Sequence, residues 1–451
     1  MRRLRASPAI VAAVIALILL VTAPTLNAYS VLSHEAIIDA LWESEIQKIL
    51  LKRFPDATPD QLREAHAYAY GGCVIQDMGY YPFGSRFFSD LVHYVRSGDF
   101  VVSLIRQSQN LDEYAFALGA LSHYVADNIG HPMAVNISEP ILYPKIHAKY
   151  GNRVTYEENP LRHIMTEFGF DTIQIATGVY APENYHNFIG FEVSKPLLER
   201  AFKETYGLDI RDVLFNEDLA IATYRHAASK TIPHLTEVAW YQKRNEIEKL
   251  TPGINRRKFV YLLPRGEYER EYGKSYRGRG VRDRARAYEQ QLLLAIHTPG
   301  LRAKILAIVF TVIPKVGRLQ ALNFKPGTAA TERMFLDSLA ATRQDYQRLL
   351  EEVGAGNLTL PNTNLDTGNP TRAGAYGLAD KTYANLLDRL RKDHFKNVTP
   401  ELRADLLSFY DHYNIAEAPK NCPACGDVLQ ELDEMRAAPF ASPTVGSHAS
   451  Q

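Results

Sequence analysis

The chain has 451 residues, enough to bury a large core in two or three folding units. Hydrophobic residues at 46% and charged residues at 23% exclude a disordered polymer. Lys+Arg and Asp+Glu balance at 51 each, which removes any bulk electrostatic case for binding nucleic acid.

At the amino end, Arg2, Arg3 and Arg5 precede an apolar run from Ala9 to Val21, and Leu26-Asn27-Ala28 closes on a small residue. This layout predicts a signal segment over 1–28, cleaved after Ala28, and hence a secreted or periplasmic protein. The run is short for a membrane span, and an uncleaved anchor is the alternative reading. Cleavage makes Tyr29 the first residue of the mature chain.

Residues 29–250 are predicted to form one mostly helical unit. Apolar residues recur at three- and four-residue steps from Ser33 to Tyr241, as in HEAIIDALWESEIQKILLKRF from His34 and LDEYAFALGALSHYVADNIGH from Leu111. KPLLERAFKETYG from Lys195 stops at Gly207, a normal helix end. Period-two patterns are sparse, so the expected fold class is all-α. Cys73 lies in an apolar stretch and reads as a buried free thiol.

From 251 to 300 the texture changes to a basic linker or surface excursion. RRKFVYLLPRGEYEREYGKSYRGRGVRDRAR from Arg256 could meet anionic headgroups, although a solvated charge run with interleaved glutamates is the plainer reading. A further helical region of unknown role spans 301–438. It opens with LRAKILAIVFTVIPKVG from Leu301, a core helix stopped by Pro314 in preference to a lipid-docking one. TERMFLDSLAATRQDYQRLLEEVGAG follows, starting at Thr331 and closing on glycine. A polar, proline-bearing loop from Gly356 then leads to two more helical stretches. Cys422 and Cys425 form a CPAC pair, which in an exported protein reads as a short-loop disulfide because no second CxxC exists. Residues 439–451 read as a disordered tail.

Seven of the 14 histidines fall between His34 and His163. Histidine is the commonest zinc ligand, and carboxylates complete such sites. In ALGALSHYVADNIGHP, His123, Asp127 and His131 follow one another at four-residue steps and project from one helical face. An Asp flanked by two His on a buried face needs a cation or strong hydrogen bonds to compensate it. RHIMTEFGF repeats the four-residue step with His163 and Glu167, a pair also common on solvated helices. Asp77 sits in the apolar and aromatic YGGCVIQDMGYYPFG, and His93 in LVHYVRSGDF, where a core histidine bonded to a backbone carbonyl is the ordinary explanation. Finally, in YSVLSHEAII, the free amine and carbonyl of Tyr29 could chelate a metal with His34, provided the signal is removed.

The order of these pieces resembles the zinc-dependent phospholipase C family and its relative, the phospholipase D that acts on glycosylphosphatidylinositol. The fungal single-strand nucleases share the same trinuclear zinc plan. The resemblance covers roughly Tyr29 to Asp171 and implies up to three zinc ions. By position, the first would be held by Asp77, His93, His123 and Asp127, and the second by His131, His163 and Glu167. The third would be held by Tyr29, His34 and a bridging Asp127. Two features depart from the pattern. Tyr29 stands where Trp is usual, and His131 follows the bridging Asp by four residues instead of six, as in the phospholipase D branch. His147 is an alternative ligand for the second site.

The resemblance implies hydrolysis of phospholipid phosphodiester bonds by a hydroxide shared between two zincs roughly 3.5–4 Å apart. Asp77 would orient or deprotonate the attacking water, and Tyr80, Tyr81 and Phe83 are equally readable as cleft lining or core. Two other readings stay open: a nuclease or nucleotidase of the trinuclear zinc type, and a non-catalytic binding protein stabilised by zinc. The expected partners are a phospholipid or other phosphodiester and peripheral contact with a membrane surface, with no specific nucleic acid and no protein partner.

Overall fold

A computed structural model describes residues 31–177, 191–228, 232–250, 252–254, 323–411 and 423–438. The signal segment with Tyr29, the arginine-rich stretch from Arg256, the apolar run from Leu301, Cys422 and the tail after Pro439 lie outside the described residues.

The three- and four-residue apolar steps fold as helices. The first six are α1 (Val31–Leu41), α2 (Gln47–Arg53), α3 (Pro59–Gly72), α4 (Arg86–Tyr94), α5 (Ser97–Gln107) and α6 (Leu111–Gly130). Then come α7 (Asn136–Leu142), α8 (Pro144–Tyr150), α9 (Pro160–Thr177), α10 (Lys195–Tyr206), α11 (Ile210–Val213), α12 (Glu217–His226) and α13 (Ile232–Leu250). The later part holds α14 (Ala329–Ala355), a two-stranded antiparallel pair of β1 (Thr363–Asn364) and β2 (Asn369–Pro370), then α15 (Gly377–Lys392), α16 (Pro400–Tyr410) and α17 (Val428–Ala437). The fold is all-α apart from that pair. Among the described residues no helix is long and apolar enough to cross a membrane.

Local chemistry explains the boundaries. Thr58 accepts from the Gln61 amide while the Gln61 side chain accepts from the Thr58 amide, a reciprocal cap on α3 with Pro59 in its first turn. α10 ends at Gly207, whose φ of 67° only glycine adopts without strain. α14 starts earlier than expected: Thr328, not Thr331, is the cap, and Thr331 lies buried in the first turn. The Thr331 hydroxyl accepts from the Thr328 amide at 2.8 Å while the Thr328 hydroxyl accepts from the Thr331 amide at 3.3 Å, a reciprocal cap.

Helix α6 is the centre of the molecule, buried from Glu113 to Asp127. It lies along α3 at very short range. A Cβ placed on Gly119 would stand 2.1 Å from the Ala69 carbonyl oxygen, and one on Gly72 would stand 2.0 Å from that of Phe116. The opposite flank is covered by α14, whose Tyr346 hydroxyl donates to the Leu118 carbonyl at 2.9 Å. One hydrophobic core runs from Val31 to Met435 and includes Phe335, Tyr346, Leu387 and Leu432 from the later helices. Phe335 stacks on Phe170 of α9, ring centres 4.6 Å apart. Cys73 is buried and free, and Cys425 is buried and disulfide-bonded.

Beyond Gly130 the helix widens into a π turn over His131–Val135. Pro132 explains it: proline has no N–H for the Asn128 carbonyl, and its ring would clash there in a regular α-helix. Gly368 (φ 70°) packs against that carbonyl, so closely that a Cβ would come within 2.6 Å of the oxygen.

Candidate metal centre

Helix α6 delivers His123 and Asp127 to the interior, both completely buried. His123 Nδ1 stands 3.0 Å from the Cys73 carbonyl oxygen, and His93 Nδ1 of α4 stands 2.7 Å from that of Ser89. A carbonyl can only accept, so each ring carries its proton on Nδ1 and turns Nε2 inward. The two Nε2 atoms lie 3.4 Å apart. Asp127 Oδ2 is 3.1 Å from His123 Nε2 and 3.5 Å from His93 Nε2, while Asp77 Oδ1 is 3.4 Å from His93 Nε2. From the other side, His34 Nε2 of α1 reaches Asp127 Oδ1 at 3.5 Å, and its ring stacks on His123 at 4.4 Å.

This geometry tests whether a cation fits. Neither oxygen of Asp77 or Asp127 accepts a hydrogen bond of ordinary geometry among the described residues. Lone pairs from two imidazoles and two carboxylates converge on one volume, where protons can satisfy some pairs but no single proton serves all of them. A divalent cation does, and the residue types are those zinc takes. Two groups there could each hold an ion, His34 with His123 and Asp127, and Asp77 with His93 and His123.

A third group sits beyond the π turn, formed by His131, His163 and Glu167. Glu167 Oε1 lies 3.3 Å from His131 Nε2 and 3.1 Å from His163 Nε2. The four-residue step on α9 puts His163 and Glu167 on one face, and His131, whose amide still bonds the Asp127 carbonyl one helical turn back, meets them from the start of the widened turn. α9 also fixes α1: Asp171 accepts from the Leu32 and Ser33 amides at 3.2 and 3.1 Å and from the Ser33 hydroxyl at 2.7 Å. That carboxylate satisfies first-turn donors of α1 and so holds His34 in place.

Electrostatics follow the geometry. Burial would raise Asp127, but His123 and His131 outweigh it and hold the carboxyl well below its usual range. Burial opposes charge on His93, yet Asp127 and Asp77 overcome it and push the ring up to about 10. Asp77 goes the other way, raised by burial to about 6 despite His123 and His93. Burial, with His123 adding to it, pushes His34 well below its ordinary value. In the third group burial would raise Glu167, but His163 leads the partners that lower it.

Of the residues singled out in sequence, His34, Asp77, His93, His123, Asp127, His131, His163 and Glu167 all come together, and Tyr29 lies outside the described residues. His147 is exposed on α8 and pairs with Asn152 at 2.7 Å, so it takes no part. Tyr80 is buried beside the site, its ring 6.0 Å from His93; Tyr81 packs edge-on against Tyr224 in the core; Phe83 is exposed. Two acids escaped sequence reasoning. Glu139 is wholly buried and lies 4.0 Å from His163 Nδ1; burial, with Asp366 and Glu167 nearby, pushes it up to about 9. Asp366 reaches the third group from the loop between β1 and β2. Neither sits at helical spacing from another ligand, and only the apolar Leu365 before Asp366 hinted at burial.

A helical scaffold that buries three adjoining groups of imidazoles and carboxylates defines a candidate polynuclear metal protein. Residues 33–216 match the family described as zinc dependent phospholipase C, and that segment is a domain of this family. No curated protein and no solved structure matches the chain.

Proposed function

We propose that the protein is an exported zinc phosphodiesterase that hydrolyses phospholipids between glycerol and phosphate. The match of residues 33–216 to that family supports a phospholipase C-like hydrolase. The observation that carries the residue-level reading is Asp127, a buried carboxylate whose oxygens accept no hydrogen bond of ordinary geometry among the described residues, standing between the Nε2 atoms of His34, His93 and His123. We assign one zinc to Asp77, His93, His123 and Asp127, and a second to His131, His163 and Glu167. A third goes to Asp127, His34 and the amine and carbonyl of Tyr29, exposed by signal removal.

Bound there, zinc supplies Lewis acidity and positive charge against the charge that builds on phosphoryl oxygens during in-line displacement. The chain does the rest. Asp77 takes the proton of the attacking water at a carboxylate oxygen. The Cys73 and Ser89 carbonyls keep His123 and His93 in the Nδ1–H form, so that Nε2 stays a donor of electrons. A cleft of about 330 Å³ is lined by Pro132, the residue after His131, with Asn136, Arg153, Thr155, Thr367 and Asn369, and Arg153 gives it a cation suited to a phosphate.

The test is metal content and product analysis of the mature protein. Asp127→Ala is expected to lose two zinc equivalents relative to wild type. Phosphatidylcholine vesicles should yield diglyceride and phosphocholine; nucleotides released from single-stranded DNA without either product would favour the nuclease reading. Zinc without turnover of any phosphodiester or monoester probe would favour a binding protein. For export, the first residue of the secreted chain should be Tyr29.

A further inference from the structure

The histidines of the first group and of the third are held in different ways. His93 and His123 each lean their Nδ1 on a main-chain carbonyl of their own neighbourhood. His131 turns Nε2 toward Glu167 at 3.3 Å, and facing its Nδ1 at 3.5 Å is Oδ1 of Asp366, more than two hundred residues on in sequence. Asp366 is 2% exposed, and its Oδ1 accepts no hydrogen bond of ordinary geometry among the described residues. The same oxygen is 3.9 Å from His163 Nε2.

The other oxygen is fully engaged. Asp366 Oδ2 accepts from the Tyr376 hydroxyl at 2.6 Å and from the Tyr156 amide at 2.9 Å. The loop carrying it is fastened at several points. Leu365 donates its amide to the His93 carbonyl at 3.1 Å, Asn136 donates to the Asp366 carbonyl at 2.7 Å, and Asn364 Oδ1 accepts from the Asp366 amide at 3.0 Å. Ser97 and Thr363 exchange two hydrogen bonds at 2.6 and 3.1 Å. This segment therefore bridges from the backbone of one candidate ligand to the ring of another. It lies outside the stretch that matches the family.

Resting on the zinc reading above, we propose that Asp366 is a positioning carboxylate of the site formed by His131, His163 and Glu167. Its Oδ1 accepts from the His131 Nδ1–H and thereby aims His131 Nε2 at the cation. A ligating histidine typically donates its second nitrogen to such a group, and removing the group typically weakens metal binding about 10- to 100-fold. The late part of the chain thus completes a site whose ligands all belong to the early part. Asp366→Asn is a sharp probe because an amide has only one oxygen. The Tyr376 hydroxyl and the Tyr156 amide, both donors, claim that oxygen and leave the NH2 group facing His131 Nδ1–H, donor against donor.

The experiment is chelator competition on the full mature chain loaded with zinc, with retained equivalents counted by elemental mass spectrometry. Wild type is compared with Asp366→Asn and Tyr376→Phe. In Asp366→Asn one equivalent should be held about 10- to 100-fold more weakly while the others keep wild-type affinity. With cobalt(II) in place of zinc, the visible spectrum of that one equivalent should change. Tyr376→Phe removes the donor to Oδ2, together with the acceptor of the Glu157 amide at 3.2 Å, and should show a smaller loss at the same equivalent; it carries the test if Asp366→Asn does not fold. Matching thermal unfolding of the zinc-stripped forms separates positioning from general destabilisation. Equal retention by wild type and both variants overturns this proposal alone, as does a uniform weakening of every equivalent. A wild-type protein that holds no zinc overturns the phosphodiesterase reading as well.

Discussion

Asp127 and Asp405 are both acids set among aromatic and apolar neighbours, and their surroundings send their carboxyl groups in opposite directions. Around Asp127 the imidazoles of His123 and His131 outweigh burial and hold the charged form. Asp405, on α16, has the Tyr383 hydroxyl at 3.1 Å and Arg96 nearby, yet burial prevails and raises it from an ordinary 3.8 to about 6. A carboxyl that binds its proton more tightly when folded adds stability below pH ~4 and loses that contribution as pH rises through about 6. Asp405→Asn keeps an acceptor for Tyr383 and cannot ionise. Its melting temperature relative to wild type should therefore climb between pH 4.5 and pH 7, measured by calorimetry at both. An offset that stays constant across that range would show that the Asp405 charge is not what burial penalises.

At the level of helices, the site depends on how closely α3 and α6 approach. Gly72 and Gly119 let the two backbones touch, which brings the Cys73 carbonyl within 3.0 Å of His123 Nδ1. Gly119→Ala would drive a methyl into the Ala69 carbonyl, where neither backbone can yield cheaply. A loss of about 1–3 kcal/mol in unfolding free energy is expected, typical of overpacking, together with weaker zinc retention through displacement of His123. Urea titration with a chelator assay would show both; a variant as stable as wild type would mean that the helices separate freely. Helical spacing made much of this legible beforehand. His123 with Asp127 announces itself because a four-residue step on an apolar face leaves few alternatives, whereas His163 with Glu167 keeps the same step but reads equally as a solvated pair until its burial is seen. His131 was legible by the same step, because its amide still bonds the Asp127 carbonyl and the turn opened by Pro132 widens the helix only after it. Asp366 and Glu139 were not legible as members of the site: tertiary packing places them, and no local rhythm connects either to the residues it faces.

Across the whole molecule, the stretch 33–216 that carries the ligands is not where the burial ends. α14 lays Tyr346 on the α6 backbone and Phe335 on Phe170, and Leu387, Leu402 and Leu432 extend the same core. Ser97 bonds to β1, and His93 and Asn136 bond to the loop between β1 and β2. Without residues from 323 onward, the outer flank of α6 and the α9 face around Phe170 would meet water, a contiguous apolar surface of the kind that drives association. A mature chain cut after Ile254 is therefore expected to lack a cooperative unfolding transition and to aggregate, even though it contains the whole family segment. Near-ultraviolet circular dichroism and a thermal scan of the truncated chain would check this. A sharp transition, with native-like aromatic signals and wild-type zinc content, would mean that the early helices close a core of their own. The later helices would then be an added layer on a finished domain, whereas the shared core and the Asp366 contact make them part of it.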